Sequence, residues 1–284
     1  MQLAEIQAVR TKSDELPESR WTPVDLTCVD ADAREVIIRT KLVRDPDSAA
    51  MCVSEAVAHR ILACVGLRTA DAFAVIIGGE LAAGLTTQFN FDPPVQTGRH
   101  WGTKFLTAAS ETTVHPSDYH NLNLESDIFL LYLVDVLTAY EDRQTHGNVL
   151  FVPAADVKRL DILPIDQSDC FGHPDVLRHA DRLTGIRDRS FGKAFDGMDQ
   201  LAARMGRKGI DAALERISAA TACLMSAVEV PPDEWYGRAA IDPSVLRDFI
   251  AYRLKRLEEL GRLSHWREIA DIASGGAYGP LFSS

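Results

Sequence analysis

No glycine occurs before Gly66 in this 284-residue chain. That excludes a glycine-rich phosphate-cradling loop ahead of the first strand and helix. No apolar run reaches about 18 residues, so no membrane span is expected. The first twenty residues, MQLAEIQAVRTKSDELPESR, lack an apolar h-region, and no secretory signal is expected from them. Five cysteines (Cys28, Cys52, Cys64, Cys170, Cys223) form no C-x-x-C pair, and their number is odd. The plain reading is a reduced thiol inventory and a cytoplasmic location. Positive charge is scarce: 30 Lys and Arg stand against 41 Asp and Glu, a net charge of -11. A protein that binds nucleic acid directly would carry a basic face, so that class is disfavoured. The eight histidines are scattered. His115 and His120 are five apart with no Cys or carboxylate box around them, which does not make a zinc site.

What is present is a foldable core. The chain is 46% hydrophobic and 25% charged, ample for one large domain or two lobes. Residues 34–43, REVIIRTKLV, read as a β-branched strand with Val36, Ile38, Thr40 and Leu42 on one face and Ile37, Arg39, Lys41 and Val43 on the other. A helix follows over 47–66, started by Asp47 or Ser48 and stopped by Gly66. AFAVIIGGELAAGL reads as a hairpin turning at Gly78-Gly79. The segment 91–120 reads as a connection. Its TGRHWGTKFL stretch is either a loop or an approach to phosphate through Arg99 and Lys104. LESDIFLLYLVDVLTAY is apolar on most sides and should be a buried helix. NVLFV and LDILPID are short strands. From about residue 191 the pattern is helical. RLKRLEELGR within it reads as a solvated charged face, and EWY after VPPD as a packing corner. Strands early and helices late imply an α+β fold, a small mixed lobe over 1–90 and a mostly helical one over 121–284.

Three constellations carry chemistry. On the early helix, Met51, Glu55, Ala58, Leu62 and Val65 share a face, which puts one carboxylate in an apolar row. Glu55 either reaches water at the edge of that row or pairs with Lys41 of the preceding strand. A strand lysine paired to a helix glutamate is the device that holds the α- and β-phosphates of ATP in kinases. YEDRQTHGNVLFV, residues 140–152, places Asp142, Arg143 and Asn148 at the junction of the buried helix and a strand. Each is explained singly by a turn. Together, an Asp followed by an Asn can supply a carboxylate for an attacking hydroxyl and an oxygen ligand for Mg²⁺. ILPIDQSDCFG offers Asp166 at the return of the hairpin, beside Asn148.

These stretches, with VIIRTKLV, SEAVAHRILACVGLRTADAFAVII, LLYLVDVLTAYEDRQTHGNVLF, LPIDQSDCF and VPPDEWYG in order, resemble the HipA-like kinases, a bacterial branch of the protein-kinase-like superfamily that also includes the phosphatidylinositol kinases. The resemblance implies a two-lobed protein-kinase-like fold and ATP- and Mg²⁺-dependent transfer of a phosphoryl group to a hydroxyl, expected to be Ser or Thr of a protein. It implies Lys41 on the nucleotide phosphates with Glu55 as its ion-pair partner, and Asp142 as the catalytic-loop aspartate. Arg143 braces that loop, and Asn148 and Asp166 hold Mg²⁺. Asp135, about two turns upstream on the buried helix, supports the loop. An antitoxin-like partner protein belongs to the same expectation.

Three departures are visible. The Asp-to-Asn spacing is six residues where many relatives have five. The metal motif is Asp-Gln-Ser rather than Asp-Phe-Gly. The glycine-rich loop is missing, and Ser, Thr or backbone amides from residues 10–27 would have to replace it. The last two departures favour an alternative, a pseudokinase-like nucleotide-binding or interaction module; the retained Lys, Glu, Asp, Asn and Asp favour the kinase. A lipid-headgroup or small-molecule kinase on the same fold is a third reading.

Overall fold

Period-two alternation in the first hundred residues closes five strands on one another. The computed structural model describes residues 2–12, 23–104, 110–111, 124–140, 143, 148–153, 160–189 and 197–275. Strands β1 (Ala4–Thr11), β2 (Val24–Val29), β3 (Glu35–Lys41), β4 (Ala72–Ile77) and β5 (Gly98–Lys104) form a closed barrel in the order β1-β2-β3-β5-β4. Neighbours are antiparallel except β1 and β4, which close the barrel in parallel. Leu26, Cys28, Ile38, Val75 and Ile77 fill its interior. Gly102 is required there: a Cβ on it would stand 2.5 Å from Ile38 Cγ2 and 2.6 Å from Val75 Cγ2.

Helix α1 (Pro46–Cys64) enters directly from the Lys41 strand. Its cap is Asp45, not Asp47 or Ser48. Pro46 has no N–H to satisfy, so the capping carboxylate sits one residue ahead of it. Asp45 accepts from Ser48 N at 2.8 Å, and Ser48 Oγ accepts from Asp45 N at 2.9 Å. Gly66, at φ 79°, turns the chain away from the helix as expected.

The hairpin expected at Gly78-Gly79 is a helix instead. Gly78 is the N-cap of α2 (Gly79–Gln88), and the Glu-Leu-Ala-Ala run behind it is made of strong helix formers. The segment read as a connection also contains a strand. β5 pairs Trp101 with Lys41 and with Ala74, so the barrel extends to residue 104. Arg99 is not turned to a ligand: it pairs with Glu5 at 2.7 Å and with Glu234 at 3.5 Å.

The second sheet orders β6 (Ser110–Glu111), β7 (Val149–Pro153) and β8 (Leu160–Pro164). Around it lie α3 (Glu125–Thr138), α4 (Pro174–Leu177), α5 (Ala180–Ile186), α6 (Met198–Ala219), α7 (Thr221–Ser226), α8 (Asp233–Ala239), α9 (Pro243–Lys255), α10 (Leu257–Leu260) and α11 (Leu263–Ser274). α3 is buried from Ile128 to Thr138, as its apolar circumference requires. Gly206 breaks the helical backbone inside α6. Trp235 and Tyr236 are buried, and Trp235 Nε1 donates to Arg99 O at 2.8 Å, so EWY is a packing corner. The face read as solvated hides one charge. Arg253 is fully buried and donates to Val136 O, Arg187 O and Arg189 O, so backbone carbonyls take its donors.

One continuous core joins α1 and Trp101 to α3 and the later helices. Cys64 at the end of α1 and Cys223 on α7 form a disulfide with Cα atoms 5.8 Å apart. This corrects the expectation that all thiols are reduced. Spacing along the chain says nothing about partners 159 residues apart. Cys28, Cys52 and Cys170 are buried free thiols. Among the described residues no helix is long and apolar enough to cross a membrane.

Reducing the Cys64–Cys223 bond, or replacing both by Ser, should lower stability by about 2–5 kcal/mol, because the cross-link closes a long loop in the unfolded chain. Thiol titration under denaturing, non-reducing conditions should find three thiols; five would remove the bond. His100 supplies a second prediction. It is fully buried; its Nδ1 accepts from Val43 N at 2.8 Å and its Nε2 donates to Gln96 O at 3.0 Å. Burial pushes the imidazole down to about 4, against the Gln96 carbonyl and with help from Arg238. An unfolded His takes up its proton near pH 6.5. Between those values the unfolded chain binds a proton that the native state refuses, so stability should fall as pH drops from about 6.5 to 4. The loss from this group is on the order of 3 kcal/mol. Urea denaturation at pH 4.5 and 7 should show a smaller difference for His100→Gln than for the native chain.

Candidate active site

Helix α1 and the segment after β8 converge on the side chain of Lys41 on β3. Alternation along β3 turns Lys41 away from the barrel interior, and α1 presents Glu55 to it. Glu55 is buried, not at a wet edge, and its Oε1 forms a short ion pair with Lys41 Nζ. The same Nζ meets Asp166 Oδ1 at 2.6 Å. Burial opposes the charge on Lys41, but the two carboxylates hold its ammonium above the ordinary range. Burial also works against Asp166, and is overcome by Lys41 and Ser168, so that carboxyl stays well below the usual range. Burial raises Glu55, against the pull of Lys41 and with repulsion from Asp166.

Asp166 is brought there by the β7–β8 hairpin. Val149 lies opposite Pro164, and Ile165 N donates to Asn148 O at 3.0 Å. Asn148 at the start of β7 and Asp166 just past β8 are therefore neighbours. Asp166 adopts a left-handed backbone at φ 53°, a conformation that costs a non-glycine residue free energy and is kept only where the surroundings impose it. Ser168 Oγ donates to Asp166 Oδ1 at 2.6 Å. Lys41 and Ser168 both use Oδ1, so neither side chain occupies Oδ2. Tyr140 joins the pair: Asn148 Nδ2 donates to Tyr140 Oη at 2.8 Å, and Oη donates to Asp166 O at 3.0 Å.

Beneath them Arg143 uses every N–H it has. Nε and Nη2 form a bidentate pair with Asp135 at 3.1 and 2.7 Å. Nη1 donates to Asn148 O and Ile165 O at 3.1 and 3.3 Å, and Nη2 also donates to Gln167 Oε1 at 2.9 Å. Both side chains of the pair are about 1% exposed. Burial opposes the guanidinium charge, and Asp135 holds it above its ordinary range. The aspartate on α3, two turns ahead of the loop, thus anchors the arginine that carries the hairpin. α1 is docked on the same segment through Ser54, whose hydroxyl is shared between Gln167 O at 2.8 Å and Cys170 O at 3.1 Å.

Lys41, Glu55, Arg143, Asn148 and Asp166 are brought together. Asp142 lies outside the described residues, as does 13–22, most of the stretch expected to replace a glycine-rich loop. Tyr140, Gln167 and Ser168 were missed. Gln167 and Ser168 were visible only as departures from a motif, and Tyr140 looked like the last apolar residue of a buried helix. Among the described residues no three His, Cys, Asp or Glu side chains converge as metal ligands. An Asn oxygen with one Asp carboxylate suits a hard cation that keeps waters and takes the rest of its shell from a substrate's phosphates, which is the habit of Mg²⁺.

The crystal structure of the Helicobacter pylori proinflammatory kinase CtkA is similar over 99% of this chain and 100% of its own, with 15% identity and a TM-score of 0.54. HipA of Shewanella oneidensis, from a complex with HipB and operator DNA, is similar over 91% of this chain and 65% of its own, with 12% identity and a TM-score of 0.44. At these identities the likeness to CtkA establishes the fold, and this chain has a mixed α/β kinase-like fold. No family profile and no curated protein sequence matches the chain.

Replacing Asp135 by Ala should cost about 3–5 kcal/mol, because it leaves the buried Arg143 charge unpaired. Equilibrium urea denaturation measures this. A loss below about 1 kcal/mol would show that the pair does not carry the loop.

Proposed function

We propose that this protein is an ATP- and Mg²⁺-dependent kinase that transfers the γ-phosphoryl group of ATP to a hydroxyl, the acceptor being Ser or Thr of a protein. The observation that carries the reading is Lys41 Nζ held between Glu55 and Asp166, with Asn148 one hydroxyl away. In this reading the small lobe is residues 1–90 extended through β5, the connection ends by residue 120, and the catalytic lobe covers 121–284. The nucleotide lies between the lobes with its phosphates at Lys41.

Phosphoryl transfer asks a protein for position and for charge, and little else. Lys41 neutralises the α- and β-phosphates, and Glu55 keeps the ammonium aimed. Asn148 and Asp166 would hold the cation, which would supply positive charge to offset that of the phosphates. Asp142 accepts the acceptor's proton as its oxygen bonds to the γ-phosphorus and the bond to the β–γ bridging oxygen breaks, releasing ADP. Arg143, fixed by Asp135, braces the loop that carries Asp142. The sequence resemblance extends the proposal to an antitoxin-like protein partner. A second reading, a nucleotide-binding module without transfer, is favoured by the absence of glycine before Gly66 and by Gln-Ser after Asp166.

Thermal denaturation with Mg-ATP separates these. At a hundredfold excess over Kd the ligand should add about 2.7 kcal/mol. The shift should vanish in Asp166→Ala. In Asp142→Asn the shift should persist while ATP turnover drops by about 10²-fold or more. A shift without turnover in the native chain selects the binding module, and no shift removes both readings.

A further inference from the structure

Among the described residues, the Tyr140 hydroxyl hydrogen-bonds to both cation-holding residues of the proposed site. Ala139, in the left-handed region at φ 54°, ends α3 and turns Tyr140 under the β7–β8 hairpin. The ring is buried and lies 4.2 Å from the Arg143 guanidinium, which stacks on it. Its hydroxyl has a single hydrogen. Asp166 O is a carbonyl and can only accept, so that hydrogen goes to Asp166. The lone pair then takes Asn148, and only the Nδ2 end of that amide can donate to it. The two bonds put the Nδ2 end of Asn148 toward Tyr140, and they hold the strained backbone of Asp166 at its carbonyl while Lys41 holds its carboxylate.

We infer that Tyr140 is a positioning residue of the cation site: through one hydroxyl it sets the amide orientation of Asn148 and the spacing between Asn148 and Asp166. The inference rests on the kinase reading above. It predicts a selective effect. A lysine at the phosphates does not need Tyr140, whereas a small octahedral cation tolerates little change in ligand geometry. Loss of an outer hydrogen bond that orients a metal ligand typically weakens metal binding 10–100-fold.

Tyr140→Phe in the full chain keeps the ring and its Arg143 contact and removes only the hydroxyl. Mn²⁺ retention in the presence of ATP, read by electron paramagnetic resonance, should weaken at least about tenfold. Binding of a fluorescent ATP analogue without metal should change less than about twofold. In an Asn148→Ala background the same substitution should add much less, because the two act as one unit. Equal loss of metal-free nucleotide binding, or unchanged Mn²⁺ retention, overturns the inference and leaves the kinase reading standing. A native chain that retains no Mn²⁺ with ATP overturns both. If Tyr140→Phe does not fold, fluorinated tyrosine at 140 keeps the ring and donor while weakening the acceptor. Mn²⁺ retention must then fall as phenol acidity rises, and a flat response rejects the role.

Discussion

An ammonium group with almost no water around it organises this molecule. Lys41 stands between Glu55 and Asp166; Lys41 and Glu55 are buried and each is costly to bury alone, while Asp166, its side chain 46% exposed, meets the ammonium from the wetter side. Without the lysine the two carboxylates would face one another. Without either carboxylate the ammonium would lose much of what replaces its hydration. The cluster carries one positive and two negative charges, so it is stable as a trio and still one unit short of neutral. A site of that kind is suited to a ligand that brings both a cation and anions, because each new charge finds an opposite already in place.

The constraint spreads along two arms. The first is α1. Its capping box, Ser54's hold on the 166–170 segment and the disulfide at its end fix the helix at three points. It shares a core with α3 and the later helices, so Glu55 is positioned by the helical part of the chain while Lys41 is positioned by the barrel. The second arm is the β7–β8 hairpin. Strand pairing makes Asn148 and Asp166 neighbours, but pairing alone fixes neither the turn of an amide nor a left-handed aspartate. Those are set by Tyr140 and by Arg143, whose five donors tie α3, both ends of the hairpin and Gln167 together.

The residues that meet at the site were legible in the sequence because their chemistry is expensive. A carboxylate in an apolar helix face needs a cation or water; Arg39 and Lys41 share one strand face, and the family resemblance selected Lys41. An Asp and an Asn at the two ends of a short hairpin must be close. The barrel was less legible. Its strand β5, which bridges β3 and β4, carries Gly, Arg, His and Lys among its seven residues, which reads as loop. Gly102 is there because the Ile38 and Val75 side chains of the neighbouring strands already fill the space a Cβ would take, a tertiary fact with no local signature. Gly78-Gly79 misled for a related reason: a glycine pair marks a hairpin turn and a helix start equally well, and only the Ala- and Leu-rich run behind it decides. Arg253 and the Cys64–Cys223 pair depend on helices that pack together from distant parts of the chain, and no spacing rule reaches that far.

The missing glycines bear on how such a site would work. A glycine-rich loop contributes backbone N–H groups that come close to β- and γ-phosphates because no Cβ intervenes. Residues 1–65 contain none, so on the kinase reading any donor from above is a side chain or a backbone N–H held off by a Cβ. More of the phosphate charge then falls to Lys41 and to the cation held by Asn148 and Asp166. Loss of one neutralising contact matters more when few share the load, and each remaining contact has to be geometrically sound. A buried arginine with all five donors engaged, and a tyrosine hydroxyl that serves both cation-holding residues, are the kind of rigid underpinning that such a burden requires. The rigidity found beneath the hairpin and the scarcity of glycine ahead of the lysine strand are, in that sense, two sides of one electrostatic arrangement.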